Sequence, residues 1–96
     1  MTYTVDLVDL PGLPESARTE AVMRYRRALE ERLGGAQNVP YYVRVFIKAS
    51  ESNGDSMSKS ESEAAVAFLQ AQEAAQQAGF EGLADVLYAY FDVQLN

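Results

Sequence analysis

Four groups of side chains in this 96-residue sequence have types and spacings that could do chemistry. The first is Ser56 and Lys59, in "SMSK". At the start of a helix, that spacing puts an amine one turn from a hydroxyl, where it can serve as base to a serine nucleophile. The second is Glu51, Asn53 and Asp55, oxygen ligands at alternate positions as at the start of a calcium loop. The third combines Tyr42, Arg44 and Phe46 with Tyr88 and Tyr90 of "DVLYAYFDVQ". Tyr, Phe and Arg are enriched where proteins dock, and open-sheet aromatics can also stack bases. The fourth is a set of acids, Glu51, Asp55, Glu61, Glu63 and Glu73, able to imitate a row of phosphates and occupy a basic groove.

The first two groups weaken on inspection. The Ser-x-x-Lys spacing resembles an element of penicillin-binding and class A β-lactamase enzymes. The partner motifs are missing, however, and the chain is far too short for such a fold. Ser58 with Glu61 fits a capping box, so this serine-rich stretch reads more simply as a helix N-terminus. In the calcium pattern Gly54 comes one step early, and the closing glutamate lacks its offset. The remaining glutamates fit a solvated helix face. The chain has no His and no Cys. That removes the commonest general base, thiolate metal sites and disulfides. "GLPES" and "GGAQN" match no phosphate-binding fingerprint. No catalytic, cofactor-binding or metal-binding residue is therefore expected, and neither is an enzyme.

Charge sorts the partners. The net charge is −6, unevenly distributed. Residues 1–13 carry two acids, 14–49 carry seven bases against four acids, and 50–96 carry one base against eight acids. An acidic surface disfavours unspecific binding to nucleic acid or anionic lipid. "MTYTVDLVDLPG" lacks the basic and long apolar regions of a signal peptide, and no apolar run approaches a membrane span. A cytoplasmic setting is the expectation.

These side chains must be held by a few elements. Residues 2–10 read as a strand, with Tyr3, Val5 and Leu7 on one face and Thr4 and Asp6 on the other. "PGLP" ends it. Residues 15–33 read as a helix with Val22, Tyr25, Leu29 and Leu33 as its apolar stripe. Oppositely charged i,i+4 pairs lie outside the stripe (Glu20–Arg24, Arg26–Glu30 and Arg27–Glu31), and "GG" at 34–35 supplies the stop. Residues 40–49, "PYYVRVFIKA", alternate like a second strand. Tyr41, Val43, Val45 and Ile47 would face one way, Tyr42, Arg44, Phe46 and Lys48 the other. Residues 50–58 read as a polar, flexible loop, and 59–78 as a second, Ala-rich helix that buries Ala65, Phe68, Leu69, Gln72 and Ala75. Gly79 and Phe80 fit a Schellman cap. Residues 85–95 read as a third strand, with Leu87, Ala89, Phe91, Val93 and Leu95 in the core.

The predicted order is β-α-β-α-β in a single domain, residues 1–96. Two single-stripe helices cover one face of a three-stranded sheet, so the expected architecture is a two-layer α+β sandwich. The order resembles a ferredoxin-like domain short of one strand, a likeness of pattern that carries no function. The uncovered face would collect Tyr42, Arg44, Phe46, Tyr88 and Tyr90, with Asp6 and Asp92 opposing Arg44 or Lys48 across strands. The expected function is that of a small, acidic, non-catalytic protein-binding module. An inhibitor, an immunity or phage anti-defence protein, a mobile-element product or an accessory subunit would act this way. Its partner would be another protein or, as a homodimer, a second copy. Two alternatives stand beside it: an acidic nucleic-acid mimic, and an RNA-binding domain using the sheet aromatics.

Overall fold

The structure is a computed structural model that describes residues 2–8, 12–53, 55–79 and 90–96. The element order is β1 (Tyr3–Val8), α1 (Glu15–Leu33), α2 (Val39–Ser52), α3 (Lys59–Gly79) and β2 (Tyr90–Leu95), with a 3₁₀ turn at Ala36–Asn38. Among the described residues, two antiparallel strands and three helices replace the expected three-stranded sheet with two helices. The overturning element is α2: residues 40–49 are helical, not extended. The helix continues to Ser52, so the polar connection is shorter than 50–58.

Why "VPYYVRVFIKASES" is a helix can be stated residue by residue. Pro40 lies in the first turn, where a missing N–H costs nothing and the fixed φ suits a helix. Val39, Val43 and Phe46 step by four and three along one side, and each packs on the core. Ser52 Oγ donates back to the Lys48 carbonyl at 2.7 Å. Asn53, at φ 53°, ends the helix in the left-handed region that Asn tolerates. The β-branched and aromatic residues here favour strands when nothing else decides. Burial of one helical side against α3 and the core decides otherwise.

Helix α1 agrees with its sequence pattern. Ala21, Tyr25, Leu29 and Leu33 are buried and Val22 is packed beside them. Gly34 sits at φ 87°, and the Gly35 amide donates to the Glu30 carbonyl at 2.7 Å, the six-to-one bond of a Schellman stop. Asn38 adds a side-chain bond to the Leu33 carbonyl at 3.0 Å. Helix α3 begins with the predicted capping box: the Glu61 amide donates to Ser58 Oγ, and the Ser58 amide to Glu61 Oε1, both at 3.2 Å. Its buried side is Ala64, Phe68, Ala71, Ala75 and Gly79, rotated from the expected set, so that Leu69 is 43% exposed. Phe80 lies outside the described residues, and so do residues 85–89 of the expected third strand.

The strands come from the two ends of the chain. They pair antiparallel from Tyr3↔Leu95 to Val8↔Tyr90, and the Asn96 amide adds a bond to the Thr2 carbonyl. Parity holds on both strands. Tyr3, Val5, Phe91 and Val93 are buried, with Leu7 and Leu95 packed against the same cluster. Small residues on α3 let the sheet approach closely: a Cβ on Gly79 would meet the Phe91 ring at 2.9 Å. Phe91 in turn stacks on Tyr25, centroids 4.3 Å apart at 15°.

Among the described residues the buried Tyr25 hydroxyl has no hydrogen-bond partner. Its pKa is pushed upward by burial, against the influence of the nearby Gln72 amide. An unpaired buried hydroxyl carries a desolvation cost of about 1–3 kcal/mol. Tyr25→Phe, which keeps the stack, is expected to raise the urea midpoint by an amount equivalent to about 1 kcal/mol.

Candidate functional site

The residues expected to share one sheet face are dispersed. Tyr42, Arg44 and Phe46 are on α2, Tyr90 is on β2, and Tyr88 lies outside the described residues. Tyr42 and Phe46 are half-buried against the core, where Phe46 meets Phe68 at 5.1 Å. Arg44 is exposed on α2. The helix also inverts the expected burial of Tyr41 and Ile47, which are 49% and 43% exposed. Asp6 and Asp92 oppose each other across the ladder, not Arg44 or Lys48. Lys48 instead closes the α2–α3 hairpin on Glu61 at 2.8 Å.

The acids behave differently. Glu51 ends α2, Asp55 lies in the turn, and Glu61 and Glu63 begin α3, so four of the five gather around one hairpin. Glu73 sits three turns further along α3. Glu61 is committed to structure, through Lys48 and the Ser58 cap. The bond from Lys48, and then the Ser58 amide, hold its carboxyl below the ordinary glutamate value. A depressed folded pKa gives stability that is present above the ordinary value and lost as pH falls through the lower, folded one. Thermal melts on the acid side should therefore fall more steeply for the parent than for Glu61→Gln.

The Ser-x-x-Lys pair does not form a helical turn. Ser56 lies before the cap at φ 66°, whereas Lys59 is the first residue of α3. The calcium-like triplet is likewise split: Glu51 is helical, Asn53 is the left-handed cap, and the Asp55 amide donates to the Ser52 carbonyl. Among the described residues no group of three His, Cys, Asp or Glu could hold a metal ion. No helix among them is long and apolar enough to cross a membrane.

Two shallow depressions, about 310 and 420 Å³, run along the outward side of α1 and share Met23 and Arg27. Their charges are largely answered locally. Arg24 pairs with Glu20 at 2.6 Å, and Arg26 with Glu30 at 3.8 Å. Tyr3 joins this cluster: its hydroxyl donates to Glu30, and Arg26 lies 4.8 Å over its ring. Burial, then the Glu30 bond, push the Tyr3 pKa up to about 12. The cluster clamps β1 to α1, a structural task.

The outward face of the β1–β2 sheet is different. It carries Thr4, Asp6 and Val8 from β1 and Tyr90, Asp92 and Gln94 from β2. Tyr90 is 64% exposed and Val8 39%, and the two are directly opposed. Asp6 and Asp92, the adjacent pair on this face, are both exposed. Sequence parity located Tyr90 here. It missed the like-charge pair, because strand order was undetermined. The chain matches no family model, no curated protein and no solved structure.

Proposed function

We propose that this chain is a small, non-catalytic protein-binding module that docks through the outward face of its two-stranded sheet. The observation that carries the reading is the Val8–Tyr90 pair, an aromatic and an aliphatic side chain held side by side in solvent on a hydrogen-bonded ladder. Tyr is among the residues that anchor interfaces, because its ring buries a large area while losing little conformational freedom. A two-stranded sheet also exposes more of itself than a larger one, and further contacts on its open face stabilise it. The chemistry of the sequence agrees: without His or Cys, binding asks less of this side-chain inventory than catalysis does. The charge balance suits an inhibitor, immunity, anti-defence or accessory protein, acting in the cytoplasm, better than a nucleic-acid binder.

The test compares Tyr90→Ser with the parent in a pull-down from the source lysate, with melting temperature and light scattering measured on both. A protein captured by the parent and lost by a variant of unchanged melting supports the reading. Capture that survives the substitution refutes it.

A second reading rests on its own observation. Exposed Glu51, Asp55 and Glu63 surround the α2–α3 turn and could enter a basic groove as a nucleic-acid mimic. Binding of that kind weakens steeply with added salt, whereas docking through Tyr90 and Val8 is far less salt-sensitive. The RNA alternative is weakened, since Tyr42 and Phe46, two of its four platform aromatics, belong to α2.

A further inference from the structure

The middle of the outward sheet face holds an arrangement that folding alone does not favour. Asp6 and Asp92 are direct partners in the antiparallel ladder. Side chains so opposed have Cβ atoms about 4.5–5.5 Å apart, and like charges there destabilise the pair. Both carboxylates are exposed. Among the described residues no cation lies within ion-pair distance of either; Asp92 accepts only a bond from the Gln94 amide at 3.2 Å. The neighbouring pair on the same face is Val8 with Tyr90.

Each part of this face matches a different part of one side chain. Two carboxylates at cross-strand spacing suit the planar fork of a guanidinium, which donates along two edges. An exposed tyrosine ring one step along the face offers the surface on which a guanidinium stacks. Val8 supplies apolar area for the methylene stem. A lysine ammonium would meet the charge but neither bridge two carboxylates as a fork nor stack as a plane.

We infer that the outward face of the β1–β2 sheet binds an arginine side chain presented by a partner protein, its guanidinium bridging Asp6 and Asp92 and lying against Tyr90. This deepens the protein-docking reading and rests on it. The chain's own arginines on the outward side of α1 make a second copy the competing occupant.

The test is an amide NMR titration of the full chain with a blocked Gly-Arg-Gly peptide and, separately, Gly-Lys-Gly. The expected result is shift changes confined to β1 and β2, with the arginine peptide binding about tenfold more tightly than the lysine peptide. In Asp6→Asn with Asp92→Asn these changes should vanish, while the melting temperature rises because the repulsion is gone. Equal response to both peptides, shifts centred on Glu51, Asp55 and Glu63, or binding retained by the double variant would overturn the inference. So would a mass that rises with concentration in the parent and stays monomeric in the double variant, because the arginine would then come from a second copy. If Tyr90→Ser abolishes partner capture but the double aspartate variant does not, the docking reading stands and the arginine assignment falls.

Discussion

Phe91→Ala is expected to remove about 3–5 kcal/mol of stability, the usual cost of truncating a buried aromatic. Domains of this size have roughly 5–15 kcal/mol in total, so the variant should be partly unfolded or show a much lower urea midpoint. Three contacts meet at this ring. It stacks on Tyr25 at 4.3 Å, it lies over Gly79, and its strand is registered opposite Leu7. Removing it leaves a cavity bounded by α1, α3 and β1, and the surroundings cannot collapse without moving a helix. Equilibrium urea unfolding followed by circular dichroism measures the loss. A change below about 1 kcal/mol would mean that β2 is not packed on the helices, since such a value is typical of surface positions.

The second large effect concerns the residue beneath that ring. Gly→Ala inside a helix usually stabilises by about 0.5–1 kcal/mol, through the entropy of the unfolded chain. At Gly79 the sign should reverse. A Cβ there would meet Phe91 at 2.9 and 3.1 Å and the Ala21 carbonyl oxygen at 3.2 Å. The ring has little room to move because it is stacked on Tyr25, and the carbonyl is part of the α1 backbone. Overpacking of this kind costs about 1–3 kcal/mol, so Gly79→Ala should lower the urea midpoint and larger side chains should lower it further. A double-mutant cycle makes the cause specific. In a Phe91→Leu background, where the flat ring is gone, Gly79→Ala should cost much less than in the parent. Additive effects would show that the strain lies elsewhere.

Legibility in the sequence divided along physical lines. Helix α1 was readable because every signal agreed: an apolar stripe at helical spacing, charges outside it and paired glycines after it. The start of α3 was readable because the Ser58–Glu61 capping box is a local device whose partners are three residues apart. Strand parity was readable at both ends of the chain, because alternation survives ignorance of which strand is the neighbour. Helix α2 was not. In "YYVRVFIKA" the β-branched and aromatic residues alternate, yet Val39, Val43 and Phe46 also fall at helical spacing, and a short apolar run supports both periods. Pro40 is compatible with both readings: tolerated at a strand start, but preferred in a first helical turn, where it sits. That one reassignment moved Tyr42, Arg44 and Phe46 off the sheet, and with them two of the four expected aromatics. Tyr90 kept its place because it depends only on the parity of its own strand. The Asp6–Asp92 pair could not be read at all, since it exists only once the first and last strands are known to be neighbours.

That pairing also orders events in time. Contacts within the helical hairpin are local, whereas the β1–β2 ladder must close almost the whole chain before its first bond forms, and such long-range closure is slow. The helices are then the early structure and the sheet the late one. In reverse, the sheet is expected to open before the helices, starting at the exposed Val8↔Tyr90 end, because Tyr3 at the other end is buried and bonded to Glu30. The proposed docking face would thus be carried by the part of the molecule that assembles last and loosens first, so a partner seated there would also act as a clasp on the fold.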